Sequence, residues 1–260
     1  LTGSNTVGLK LTDTTSSTTQ TIASQANGSF TFGTALNFGD GWNVTVATQP
    51  TGQTCSVTNG SGTNLSGNVT NVSVTCTTNT YTLTYSAGAH GSLTGTTSQT
   101  VSYGANGTPV TAIPATDYHF VQWSDGSTAN PRTDTNVTAS LAVTATFAAN
   151  VLVFTTQPAN LVQGGQLGTI AVAVQDGSGN TLPVSGTADF TIAACGGSVD
   201  LGSVTISNGV ATLSSTLSFH TIASGLTVKA TSGSLSAVSA PFSVGTNTDL
   251  VFENGFDATP

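Results

Sequence analysis

"SLAVTATF", residues 140–147, places Leu141, Val143, Ala145 and Phe147 on one side of an extended chain and Ser140, Ala142, Thr144 and Thr146 on the other. Successive side chains of an extended backbone point to opposite sides, so this alternation predicts a strand with one face buried and one wetted. The pattern recurs in "TIAVAVQDGSGN" (169–180), where Ile170, Val172 and Val174 alternate before a turn at Asp176–Asn180, and in "NVTVAT" (43–48) and "NVSVTC" (71–76). β-Branched residues dominate, and no window spaces Ala, Leu, Glu, Lys, Gln or Arg as a helix would. Turn pairs such as NG, DG, SG and GG return about every ten residues, the spacing of sandwiches. The sequence therefore predicts an all-β protein.

Charge is scarce. Only 5% of the residues are charged, against roughly 25% in an ordinary soluble protein; Thr, Ser, Asn and Gly supply the polar surface instead. With 37% of residues apolar and those residues alternating, the chain carries enough hydrophobic material to fold. The formal charge is −8, from three Lys plus Arg against eleven Asp plus Glu. Lys10, Arg132 and Lys229 lie far apart, so there is no basic patch for nucleic acid. No apolar run approaches the roughly 20 residues needed to span a bilayer, so no membrane insertion is expected. No signal peptide is read, Met is absent, and the chain starts at Leu1; these features suggest a processed product or a segment of something longer. The Lys-poor, Thr- and Asn-rich composition fits a secreted or cell-surface protein.

Three cysteines are present. Cys55 and Cys76 end the stretch "CSVTNGSGTNLSGNVTNVSVTC", two strand-like segments joined by a turn-rich loop. A disulfide is expected there, with an oxidising compartment as its corollary; the alternative is two buried thiols. Cys195 is left over, as a small buried hydrophobe or a link to another chain.

New patterns begin near Tyr81 and near Val151. They divide the chain into residues 1–78, 79–149 and 150–245, followed by a tail at 246–260. The linkers between these stretches are very short, which favours stiff connections. Residues 25–55, "QANGSFTFGTALNFGDGWNVTVATQPTGQTC", resemble the transthyretin-like modules of bacterial surface proteins. That resemblance implies a turn, a strand, a second turn and an aromatic-led strand, with Trp42 in the aromatic place. Such modules usually open with a further strand ending G-x-V-S-G-L, which "LTGSNTVGLKL" does not contain. The second stretch, with "SYGANGTPVTAIPA", "HFVQWSDG" and "VTATF", resembles the divergent internalin-type B repeat. A β-grasp-like sheet is implied, with Trp123 as a core residue rather than a sugar-stacking platform. The third, with "VQDGSGN" and "SNGVATLSSTLSF", is similar to bacterial immunoglobulin-like domains. These resemblances imply stalks, adhesins and fibres outside bacterial cells; the folds alone name no activity.

Catalytic chemistry is not expected. His90, His119 and His220 sit in separate contexts with no Cys or His at ligand spacing, so neither zinc nor another cofactor is predicted. His119 is expected on the solvent side of a strand. Asp176 and Asn180 could offer oxygens to calcium, but one carboxylate is too few for a cation that takes six to eight oxygens, and a turn is expected instead. No nucleophile elbow, phosphate loop or paired-Glu arrangement occurs. Lys10 raises the idea of a Lys–Asn isopeptide bond, which requires a buried acid; Asp13 and Asp40 are the acids of that module, both in turn-like contexts. The Asn-x-Ser/Thr sequons at Asn27, Asn43, Asn68 and Asn106 are expected to be silent.

The tail "TNTDLVFENGFDATP" (246–260) carries Leu250, Val251, Phe252 and Phe256 among three acids. One reading folds it onto its own module or makes it a sorting-type tag. The other makes it a spare strand that enters the incomplete first module of another copy, so that copies couple head to tail in a surface filament. A stalk segment of a secreted adhesin and an accessory region of a secreted hydrolase are the competing expectations.

Overall fold

The computed structural model describes residues 2–3, 6–194 and 197–247. Every regular element in them is a strand, as expected. Contacts divide the chain into two compact units: residues 1–86, 93–111 and 129–144 form the first, and residues 87–92, 112–128 and 145–260 the second.

In the first stretch the strands are β1 (Val7–Asp13), β2 (Thr19–Gln25), β3 (Trp42–Thr48), β4 (Gln53–Thr58), β5 (Ser61–Gly62) and β6 (Ser73–Thr78). One sheet has the order β2-β1-β3-β5, and β4 pairs with β6 in a separate hairpin. In the central strand β1, Leu9 lies opposite Val46 and Leu11 opposite Val44. Partners directly opposite share a face, so Val7, Leu9, Leu11, Val44 and Val46 form one apolar side. Part of that side packs on the hairpin, where Val7 and Leu9 meet Cys55, Val74 and Cys76.

Cys55 and Cys76 are directly opposite each other on β4 and β6 and are joined by a disulfide. Their N–H groups point away from each other: Cys55 donates to the Gln49 side chain and Cys76 to the Thr2 carbonyl. The bridge therefore occupies a non-hydrogen-bonded site of the ladder, where side chains lie closest. It closes a loop with a sequence separation of 21, worth about 3 kcal/mol through the entropy of the unfolded chain. Urea unfolding of the Cys55→Ala/Cys76→Ala double variant is expected to show this loss; an unchanged midpoint would mean that packing alone holds the hairpin.

In the second stretch the strands are β7 (Thr80–Ala87), β8 (Gly91–Gly95), β9 (Ser98–Ser102), β10 (Val110–Pro114), β11 (Tyr118–Trp123) and β12 (Leu141–Ala149). They form a sheet of order β11-β12-β7-β9 and a β8–β10 pair. On β12, Val143 and Ala145 are buried and Leu141 and Phe147 half-buried, while Ala142 and Thr146 are exposed. Trp123 is fully buried.

In the third stretch the strands are β13 (Val151–Thr156), β14 (Leu161–Val162), β15 (Gln166–Gln175), β16 (Gly186–Ala194), β17 (Gly197–Ile206), β18 (Val210–Ser218), β19 (Ala223–Leu226), β20 (Val228–Ser232), β21 (Leu235–Val238) and β22 (Phe242–Gly245). They make three sheets, ordered β13-β15-β18, β14-β22-β19 and β17-β16-β20-β21. One core fills this stretch, with Phe190, Phe242, Ile170 and Val172 at its centre. The centre of β15 departs from simple alternation: Ala171 and Ala173 are buried along with Ile170, Val172 and Val174. β15 lies between β13 and β18, and side chains as small as alanine lose water on their own face as well.

Candidate interaction site

The residues able to carry chemistry are dispersed. His90 stacks on Tyr118, with ring centroids 4.1 Å apart. The His220 carbonyl accepts from the Gln163 side chain. His119 is half-buried, and its Nδ1 lies 2.9 Å from Asn150 Oδ1; this corrects the expectation of a solvent-side residue. Asp176 caps its turn, Oδ1 accepting from the Ser178 and Asn180 N–H groups and Oδ2 from the Asn180 amide. These bonds, those of Asn180 first, hold its carboxyl below the usual range. Asp13 is used in the same way by Ser16 and Thr15, its pKa lowered chiefly by the Ser16 hydroxyl, and Asp40 accepts from the Asn37 N–H. The acids nearest in sequence to Lys10 thus serve as turn caps rather than as the partner an isopeptide bond requires. Among the described residues no three of His, Cys, Asp and Glu gather as a metal set. Cys195 and the tail residues Leu250, Val251, Phe252 and Phe256 lie outside the described residues.

A site does form in the first stretch, and composition did not announce it. The resemblance implied a strand in "NGSFTF", but residues 27–36 belong to no strand. The segment runs beside β2, and side chains replace the missing ladder. Gln20 Nε2 donates to the Thr34 carbonyl and Gln20 Oε1 accepts the Thr34 N–H, each at 2.7 Å. Gln25 Nε2 donates to the Ser29 carbonyl. Glycines at 28 and 33 on either side of the aromatic pair weaken strand propensity. Across from this segment, residues 63–72, with three Asn, are likewise irregular.

Between the two segments lies a cleft of about 710 Å³. Its floor is Leu11, Val44 and Trp42, at the end of the sheet beyond the hairpin, the first two buried. Trp42 is half-buried and borders this open space. Phe30 and Phe32, edge to face at 6.1 Å, line one side, and Leu65, Val69 and Val72 the other. No lining residue is charged. Among the described residues, the backbone groups of Phe30–Gly33 and of Gly67–Thr70 make no hydrogen bond to the chain. Backbone with free donors and acceptors is what an incoming strand can pair with. At the neighbouring outer edge of β6, Thr2 already forms a parallel bridge with Thr75, donating to the Val74 carbonyl and accepting from Cys76.

Two asparagines form a second set of features. β6 ends at Thr78 and β7 begins at Thr80; β12 ends at Ala149 and β13 begins at Val151. One residue connects each pair. Asn79 donates its N–H to the Gly52 carbonyl and accepts from the Tyr103 N–H, and its Oδ1 accepts from Thr54 Oγ1 at 2.7 Å. Gly52 has a φ of +71° and lies so close to the Tyr103 ring that a Cβ there would be 2.2 Å from it; only glycine meets both conditions. Asn150 is buried, donates to the Asp117 carbonyl and reaches His119. The Asp117 carboxylate in turn accepts the N–H and hydroxyl of Ser234 at 2.9 and 2.6 Å. Neither connection has slack backbone.

No curated protein matches this chain. Residues 81–151, about a quarter of the chain, match the family described as the divergent InlB B-repeat domain. That match covers the B-repeat-like stretch that ends at the Asn150 connection, and together with the disulfide it supports a bacterial surface repeat protein, extracellular or cell-surface in location.

Proposed function

We propose that the chain is an extracellular structural protein without catalytic activity, serving as a stalk segment or, where copies couple head to tail through the tail residues Leu250, Val251, Phe252 and Phe256, as a filament subunit. The observation that carries this reading is the single-residue connections: Asn79 is tied by hydrogen bonds from both flanking stretches, and Asn150 is tied to Asp117 and His119, with Asp117 in turn bound by Ser234. A flexible tether places Gly- and Ser-rich chain between modules; here Asn79 and Asn150 leave no room for it. Scattered histidines and acids occupied in turns agree with a role that needs no reacting group.

Limited proteolysis with a broad-specificity protease tests the reading. Cleavage at 78–80 and 149–151 is expected to be as slow as within strands. Asn150→Ala removes one side-chain hydrogen bond worth about 1 kcal/mol, so amide exchange at Asn150 and Val151 is expected to quicken roughly fivefold. Wild-type connections cut as readily as an unfolded peptide would sink the structural reading. Retention of the chain on insoluble cellulose or chitin would favour the accessory region of a hydrolase in its place.

A further inference from the structure

We infer that the cleft of the first stretch accepts an extended strand, and that the strand is residues 249–256 of a second copy of this chain. The inference rests on the structural reading above and names the partner in it. Two properties of the cleft specify a strand rather than a small ligand. Each boundary carries unpaired backbone donors and acceptors, at Phe30–Gly33 and at Gly67–Thr70. The floor is aliphatic and aromatic, with Leu11, Val44 and Trp42, so alternate side chains of an incoming strand would lose water there. Main-chain bonds to the edges give such a strand affinity, and alternate side chains give it register.

The tail matches this demand by position. Its even-numbered residues are Leu250, Phe252, Asn254 and Phe256; its odd-numbered residues are Asp249, Val251, Glu253, Gly255 and Asp257. In an extended chain the first set faces one way and the second the other. All the acids then fall on one side, and three large apolar groups with one amide on the opposite side. A cleft with no charged lining suits the first face and leaves the acids in water.

The test uses the full chain with Phe252→Asp, which places a charge on the apolar face of its own tail. Isotope-labelled variant is mixed with an unlabelled synthetic peptide of residues 248–260. Amide shifts and new exchange protection are expected at Phe30–Gly33 and Gly67–Thr70, and the peptide carrying Phe252→Asp is expected to bind at least roughly tenfold more weakly. In parallel, wild-type chain is expected to associate in a concentration-dependent way by sedimentation velocity, and the variant to stay monomeric. Lack of peptide effects at these amides overturns the inference, as does a cleft already protected in the variant, which would mean that another segment fills it. Wild-type protection that does not depend on concentration would assign the tail to its own chain and overturn the second-copy assignment. The structural reading survives each of these failures if the connections at Asn79 and Asn150 resist proteolysis.

Discussion

Replacing Asp134 by Ala is expected to destabilise the protein by about 3–5 kcal/mol, because it leaves a buried guanidinium without its carboxylate. Arg132 is the single arginine of the sequence and is only 6% exposed. It grips Asp134 through two bonds, Nε to Oδ2 at 2.9 Å and Nη2 to Oδ1 at 2.7 Å. Tyr85, also buried, donates its hydroxyl to Asp134 Oδ2 at 2.6 Å. Arg132 further exchanges backbone bonds with Val110, so this polar cluster ties the 129–137 loop to the start of β10 and to β7. The same cluster sets an alkaline limit. Burial first, then the hydrogen bond and charge of Asp134, raise the Tyr85 pKa above its ordinary value of 10.0. A raised folded-state pKa contributes stability that is complete below about pH 10 and is lost as the pH climbs higher. Urea titrations of Asp134→Ala at neutral pH, and of wild type between neutral pH and the alkaline range, measure both effects. The paired change Arg132→Met/Asp134→Leu removes the charges together, and is expected to cost much less than Asp134→Ala alone. Equal losses in the two variants would show that shape, not charge compensation, decides the stability here.

The period-two pattern was legible where a strand has one water-facing side. Val143 and Ala145 on β12 went to the interior as their alternation required, and Trp123 went to the core. Legibility failed where side chains took over tasks that pattern rules assign to the backbone. "NGSFTF" reads as a strand, yet on the neighbouring strand Gln25 meets its Ser29 carbonyl and Gln20 meets both backbone groups of Thr34 just beyond it, which leaves Phe30–Gly33 open. His119, which precedes Phe120 on a strand, was read as solvent-side; it is half-buried and meets Asn150, beyond the end of β12. Asn79 and Asn150 carried no signal at all in a chain so rich in Asn, and only the strand limits reveal them as connections. Arg132 shows the same limit from the other direction. Composition says that charges are few, but not that the one arginine is enclosed with a tyrosine and an aspartate that stand far from it or beside it in sequence. The cleft was not legible in the sequence, because it is defined by backbone bonds that are not made at Phe30–Gly33 and Gly67–Thr70.

Trp123→Ala is expected to cost about 3–5 kcal/mol, the transfer energy of the indole plus a cavity that the surrounding sheet cannot close. Trp123 sits at the end of β11 opposite Ala145 of β12, and the small partner leaves the ring room over the sheet. Phe120 meets it edge to face at 5.9 Å, and Phe120 in turn meets Phe147 at 6.1 Å. The indole thus anchors one end of an aromatic row that covers the β11–β12 pair. The turn that follows is fixed to the same residue: its N–H donates to the Ser127 carbonyl and its carbonyl accepts from Gly126. Trp123→Phe keeps part of the ring volume and is expected to lose less than the alanine variant. Urea unfolding followed by far-ultraviolet circular dichroism ranks the two. The ranking also separates the two roles a tryptophan can have in a surface protein. A sugar-stacking platform stands in water, and its truncation leaves stability almost unchanged while abolishing binding; a tryptophan with no exposed surface must act through packing. Unaltered stability in Trp123→Ala would therefore remove the central support of the B-repeat-like stretch and, with it, the case that this stretch serves as a rigid segment between its neighbours.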